Sequence, residues 1–589
     1  MYERKTFIIG IIFILLALSI AIIVTYFIVY KSIENSLEIT RFLPHDTPVF
    51  LGLDNIAAQL KKLEYTQTKA EFKKSGFYDN LEKIIQKVDV KIHQKTGFQL
   101  REWAQYIEKD AAIGIDSVNN KLVFIFAARI RKDKENYKET FIKFVFPGQP
   151  ASAMNKSYEG ISYGISSGGY IVAFYRNILF ISNDEEYFKN VCEVIAKKQE
   201  NLAHNRSFLK IQEKLEYVGG VLGFIDVRFI IRKPQAFHQL IRGIDSLVNV
   251  GILRYAGYYN SVFGWENLDM IGMSSYIEGE EIIQKTFLLL SDTKKGGLLA
   301  NVLHLKSAKL DIDKTISNEF SDFIIASIGD ASKLYDAIEN SIMNTSSKQN
   351  QFKFLIMTAL VRGYGIDVKG DFITTLGDQV AVVFPLKELY KLGNGIPENI
   401  ELMIIAKIND QAKMTLFLNR VKSVFLKHSI AVHEELFEKN IIYRVQVREQ
   451  SDVKILYGKN KGYFFISSDG NMIKKAIEAA NGKDSITKDK AYANCKSKFG
   501  PRSNYIFVSR DMLGKRLLAR REFSDIEDIQ LKESIELTIN NIQSTMWQAC
   551  GQMSSGANTE DGLIIQTYYP LSYMYMIFIG AVSGLMLNL

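Results

Sequence analysis

Residues 177–184 read Asn-Ile-Leu-Phe-Ile-Ser-Asn-Asp, and residues 462–469 read Gly-Tyr-Phe-Phe-Ile-Ser-Ser-Asp. Each is a continuous apolar run of strand length closing on Ser-x-Asp, side chains suited to capping the free N–H groups of a helix start. An amphipathic pattern follows, carried after the first stretch by Tyr187, Phe188, Val191, Val194 and Ile195. A buried strand running into a capped helix at two distant places predicts that one folding unit occurs twice.

The similarity extends in both directions. Thr96–Leu100 is matched by Tyr364–Val368, and Asp110 by Asp378, ahead of the apolar strands Ala111–Ile115 and Val380–Phe384. Leu122–Ile130 resembles Ile400–Ile408, and Gly223–Arg228 resembles Tyr505–Arg510. The closing strand Ile282–Phe287 resembles Ile564–Tyr569, with Trp265 and Trp547 at the same spacing. At the front, Val49–Leu53 and the helical Asn55–Leu63 resemble Phe323–Ile328 and Ala331–Ile338. Strand patterns alternate with helical ones of period about 3.6, and short turns at Glu278-Gly279-Glu280 and Thr559–Gly562 argue for hairpins. The expected fold is α+β: two tandem related units with mixed or antiparallel sheets, rather than one doubly wound parallel sheet. A side chain recurring in both copies is explained by folding. Trp265 and Trp547 therefore read as structural, and Asp110 and Asp378 as cap or turn residues.

Ahead of the first unit, Phe7–Tyr30 holds no charged side chain and is long enough to cross a hydrocarbon core of roughly 30 Å. The run exceeds the about 7–15 residues of a signal-peptide core and is followed by no small-x-small site, so an uncleaved transmembrane helix is expected. Arg4 and Lys5 precede it, whereas Lys31 is soon followed by Glu34 and Glu38, which places the N-terminus in the cytoplasm and the body outside. Behind the second unit, Leu571–Leu589 is uncharged and carries Gly580 and Gly584 at small-xxx-small spacing. It reads either as a second transmembrane or as a buried terminal segment. The domain plan is a short cytoplasmic tail (1–6), the helix (7–30), a juxtamembrane linker (31–42), a first unit (43–292), an inter-repeat segment (293–311), a second unit (312–570) and the terminal segment (571–589).

The 589 residues are 47% hydrophobic and 23% charged, with nine prolines, which suits folded domains more than long disordered tracts. A net charge of +8 is a faint bias over so large a surface. It suits anionic lipid or an envelope polymer and is no nucleic-acid footprint. Cys192, Cys495 and Cys550 are too few and too scattered for a disulfide framework or a zinc site. Cys192 reads as a small buried hydrophobe, and a Cys495–Cys550 bridge stays open. The seven histidines are scattered, and even His428 and His433 share no helical face. The phosphate-loop, dinucleotide, zinc-protease and nucleophile-elbow patterns are missing, so no catalytic, cofactor-binding or metal-ligating residue is assigned. One unrepeated cluster, Tyr255, Tyr258, Tyr259 and Phe263, is a candidate partner contact, because tyrosines offer flat amphipathic surface. Packing beneath the closing hairpin is the competing reading. The second copy has Lys515, Arg516, Arg520 and Arg521 there instead.

Leu43-Pro44-His45-Asp46-Thr47-Pro48-Val49, standing after the apolar run and entering a strand, resembles the Leu-Pro-x-Asp-Thr opening of a family of bacterial membrane-anchored extracytoplasmic proteins of unknown function. The second copy carries Ser317-Asn318-Glu319 near that position. The family brings no established activity, and the resemblance implies an exported, periplasmic body at the bacterial inner (cytoplasmic) membrane. The functional expectation is a membrane-tethered interaction or scaffold protein of the cell envelope. It would touch lipid through Phe7–Tyr30 and an envelope protein or polymer through the body, with no cofactor. The alternatives are a lipid or small-ligand binder using a groove between the copies, and an exported hydrolase.

Overall fold

The computed structural model describes residues 37–55, 107–131, 154–166, 168–233, 267–279, 281–290, 307–345, 348–384, 401–446, 454–499, 502–510 and 552–569, with isolated positions between them. Within these, the runs rich in β-branched and aromatic residues are strands. The first half supplies β1 (Val49–Asp54), β2 (Ile107–Val118), β3 (Lys121–Ile130), β4 (Lys156–Tyr158), β5 (Ile161–Ile165), β6 (Ile171–Tyr175), β7 (Ile178–Ser182), β8 (Val221–Asp226), β9 (Leu268–Glu278) and β10 (Glu281–Leu290). The second supplies β11 (Asp322–Ser327), β12 (Leu376–Val383), β13 (Met403–Ile408), β14 (Val432–Phe437), β15 (Asn440–Gln446), β16 (Lys454–Asn460), β17 (Tyr463–Ser467), β18 (Tyr505–Ser509), β19 (Gln552–Thr559) and β20 (Gly562–Tyr569).

All twenty belong to one sheet. In the first half the ladders run β4-β5-β6-β7-β3-β2-β1-β8-β9-β10, every one antiparallel. In the second they run β14-β15-β16-β17-β13-β12-β11-β18-β19-β20, again all antiparallel. The two series are the same order. They meet where β10 pairs with β20, from Ile282 opposite Tyr569 to Leu289 opposite Gly562. Phe50, Phe224, Gly272 and Phe287 line up across β1, β8, β9 and β10. Phe323, Val508, Met553 and Tyr568 do so across β11, β18, β19 and β20. Lys285 therefore corresponds to Gln566, and these two pair with each other in the middle of the junction.

Two expectations are corrected here. Two tandem α+β units, each with a mixed or antiparallel sheet of its own, are not what forms. β10 and β20, read from the sequence as closing strands, would each leave a row of unpaired N–H and C=O groups, and each satisfies that row against the other. The result is a single antiparallel sheet carrying a few helices. The membrane-spanning reading is not met among the described residues either: no helix there is long and apolar enough to cross a membrane. The longest, Gln411–Lys427, has 17 residues, short of the about 20 a span needs. Phe7–Tyr30 and Leu571–Leu589 lie outside the described residues.

Apolar side chains are buried on both faces of the sheet, which is why its central strands read as unbroken apolar runs. In the first half, Tyr187, Phe188, Phe208 and Ile211 of the helices Glu185–Ile195 and Arg206–Lys214 pack with Phe50, Phe180 and Phe224 in one cluster. Phe126, Leu179 and Ile181 belong to another. In the second half the helices Gly470–Ala480 and Lys490–Lys498 join Phe323, Phe465 and Val508, and Gln411–Lys427 packs Met414 and Leu418 near Phe464. The Ser-x-Asp signals are helix starts in both halves. Asp184 accepts the Tyr187 N–H at 2.8 Å and Asp469 the Asn471 N–H at 2.9 Å. Ser182 and Ser467 donate to the Phe124 and Leu402 carbonyls of the neighbouring chain segment, at 2.8 and 2.9 Å. The junction has further ties. Asp561, in the β19–β20 turn, reaches Lys210 and Lys214 of the first half at 2.9 and 3.2 Å, and Leu563 joins Val227, Leu268 and Leu290 in a shared cluster.

Candidate functional site

The opening motif proves to be a turn. Thr47 Oγ1 donates to the Pro44 carbonyl at 2.8 Å, and Pro44 bridges to Asn201. The equivalent bridge in the second half joins Ser317 to Ser485. Just before it, Asp110 fixes the chain. It lies within β2 rather than ahead of it, at a register shift in the β2–β3 ladder. Its buried carboxylate accepts the Ile39 N–H and Arg129 Nε, both at 2.9 Å. Arg129 also reaches Glu38 at 2.9 Å. Asp54, directly opposite Asp110, has its carboxyl pushed up by burial and by that neighbouring charge.

The ladders set Asp110 opposite Asp54 and Gln379 opposite Ser327, so the counterpart of Asp110 is Gln379 and not Asp378. Gln379 does the same work neutrally, accepting the Asp311 and Ile312 N–H groups at 2.9 and 3.1 Å. Asp378 is instead a half-exposed partner of Lys407 at 3.3 Å. Asp110 thus ties the segment at Ile39 to β3, whereas Asp378 makes a surface ion pair.

A charged trio present in only one half lies nearby. Asp313 is buried, accepts Tyr492 Oη at 2.8 Å and is bound by Lys496 Nζ, which also donates to the Leu310 carbonyl at 3.0 Å. Thr40, Phe208 and Gln212 occupy the corresponding places in the first half. There Thr40 Oγ1 itself donates to the Leu37 carbonyl at 2.6 Å. All the groups of the trio are engaged inside the fold.

A cleft of about 470 Å³ opens where the helix Ala331–Thr345 begins beside β12 and β13, lined by Asp330, Ser332, Thr374, Asp378, Lys407 and Asn409 among others. Its charges already have partners. Asp330 caps the helix, accepting the Ser332 N–H at 2.9 Å, and Lys407 sits between Asp378 and Asp311. Ile373, Leu376 and Ile408 also line it, but the lining is mainly polar and lacks the predominantly apolar walls that usually enclose a small ligand. Among the described residues no group of three or more His, Cys, Asp or Glu is placed to hold a metal ion.

The most unusual surface belongs to the helix Lys348–Gly363, which follows Ala331–Thr345 and packs against it. At about 100° per residue, Phe354, Thr358 and Val361 form its half-buried side. The opposite side is also apolar: Phe352, Leu355, Ile356, Ala359 and Leu360 recur at the spacing of a core-facing stripe, yet all five are exposed. Phe352 keeps 64% of its surface accessible and Leu360 57%. Met357 and Tyr364 widen the patch. A stripe of this spacing ordinarily faces a core; here it meets water.

No family model, curated protein or solved structure matches the chain. The sequence-derived contact residues Tyr255, Tyr258, Tyr259 and Phe263 lie outside the described residues, as do Trp265, Trp547, Cys550 and Lys515–Arg521. Cys192 is buried, and burial pushes its thiol up to about 12. Sequence reading passed over the stripe. The signal was present in Phe352-x-x-Leu355-Ile356-x-x-Ala359-Leu360 together with Phe354 and Val361, more apolar positions than one buried face requires.

Proposed function

We propose that the chain is a membrane-tethered, extracytoplasmic interaction or scaffold protein of the bacterial cell envelope, docking through the exposed apolar stripe of the helix Lys348–Gly363. The stripe carries the reading. Soluble surfaces rarely leave contiguous apolar patches uncovered, and those that do mark interaction sites. The uncharged run Phe7–Tyr30 supports attachment to lipid, and the Leu-Pro-x-Asp-Thr resemblance supports the envelope location. The internally paired cleft lends nothing to a hydrolase.

The test is the stability of the full chain carrying Leu355→Ser and Ile356→Ser. At a docking surface the pair changes unfolding free energy by about 0.5 kcal/mol or less each, while a surface-retention assay in cells loses signal. Losses of about 2–5 kcal/mol per site, the scale of emptied core positions, would mean that the stripe is packed inside the folded protein and would end the docking reading.

A further inference from the structure

Resting on that docking reading, we propose that the stripe's partner is an anionic lipid surface: the helix Lys348–Gly363 lies in the headgroup layer, with Phe352, Leu355, Ile356, Ala359 and Leu360 in the acyl boundary. Three observations carry this. The first is charge. Between Glu339 and Asp367 the chain has no acidic residue, but it has Lys348, Lys353 and Arg362, all exposed. Glu339 and Asp367 stand beside Arg362 at one end, but the helix itself carries only positive charge, which suits a negative surface.

The second is their placement. At about 100° per residue, Lys353 stands between Leu360 and the flanking Met357 and Tyr364, Arg362 stands just beyond Leu355 on the other edge, and Lys348 is at the helix start. Long cationic side chains bordering an apolar face can lie along it and bring their charges up to phosphates, the arrangement of an interfacial helix.

The third is size. A stable protein pair engages about 20–30 residues a side, far more than one stripe of five apolar residues. An interfacial helix needs only its apolar face sunk about 5–10 Å into the headgroup and acyl boundary. Binding of this strength is weak alone and gains from a second attachment, which Phe7–Tyr30 supplies on the reading above.

The experiment uses the full chain reconstituted in nanodiscs of phosphatidylcholine, with or without phosphatidylglycerol, and a photoreactive benzoyl-phenylalanine in place of Phe352. Phosphatidylglycerol discs should give lipid adducts at that position and slow amide exchange over residues 348–363 at least tenfold relative to neutral discs. Lys348→Glu with Lys353→Glu should abolish both effects. Adducts to a second copy of the chain, or exchange indifferent to lipid charge, would overturn the lipid assignment. If the Leu355→Ser and Ile356→Ser chain stays folded in that case, docking survives with a protein partner; if it unfolds, the docking reading falls with it.

Discussion

Removing the Tyr492 hydroxyl measures how tightly the second half's charged trio is coupled. In Tyr492→Phe the buried Asp313 carboxylate loses a hydrogen bond of 2.8 Å, and bonds to charged groups contribute about 1.5–3 kcal/mol. Asp313→Thr alone removes the carboxylate that accepts from the Tyr492 hydroxyl and takes the counter-charge from Lys496. The loss should be about 2–3 kcal/mol, less than the about 3–5 of a fully buried pair, because Lys496 keeps 33% of its side chain accessible. Together the two changes rebuild what the first half already contains, a threonine beside a phenylalanine. Thr40 there satisfies the Leu37 carbonyl unaided, so a threonine at 313 can serve the Leu310 carbonyl in the same way. The double variant should therefore be more stable than the summed losses by about 1.5–2.5 kcal/mol, a coupling within the range seen for residues in contact. Urea unfolding of the four proteins, followed by near-ultraviolet circular dichroism, gives the cycle. Losses that add to within about 0.5 kcal/mol would refute the coupling and, with it, the correspondence between the two halves at this position.

Two other outcomes follow from local chemistry. Hydrogen bonds from Tyr163, Lys189 and Lys156 hold the Glu185 carboxyl down at about 2, against an ordinary 4.5. Its stabilising contribution is thus complete above pH 4.5 and fades as pH falls toward 2. Glu185→Gln should flatten the stability profile over that window, and an unchanged acid profile would contradict the assignment. Asp184→Ala and Asp469→Ala should each remove about 1 kcal/mol as lost helix caps, and, lying in different halves, should add in the double variant, as a shift of the urea midpoint would report.

What was legible in the sequence was whatever a short stretch dictates by itself. Ser182–Asp184 and Ser467–Asp469 revealed corresponding strand–helix steps because cap and strand sit in the same few residues. Correspondence failed where apolar pattern was the only guide. Gly223–Arg228 was matched to Tyr505–Arg510, but the ladders set Phe224 against Val508 as its counterpart. A slip of two residues keeps every side chain on its face and so leaves no trace in the pattern. The doublets Ile282-Ile283 and Ile564-Ile565 misled by one residue, as did Asp110 and Asp378. The joining of β10 to β20 was illegible for a different reason: it is made by backbone groups, and either strand alone reads as an ordinary end. The stripe on Lys348–Gly363 was hidden because periodicity finds apolar positions without telling which of them the fold covers.

The pairing of Lys285 with Gln566 has a consequence for how such a sheet can exist at all. Equivalent strands that meet antiparallel at equivalent positions make an isologous contact, the kind by which a homodimer closes on itself about a two-fold axis. With two identical halves, that axis would set lysine against lysine, and like charges directly opposed on neighbouring strands repel. Within one chain the symmetry is free to break at this point. Gln566 removes one ammonium and donates to Tyr568 Oη at 2.9 Å, while Lys285 turns to Glu216. The junction is a dimer interface encoded in a single polypeptide, asymmetric at the position where perfect symmetry would weaken it.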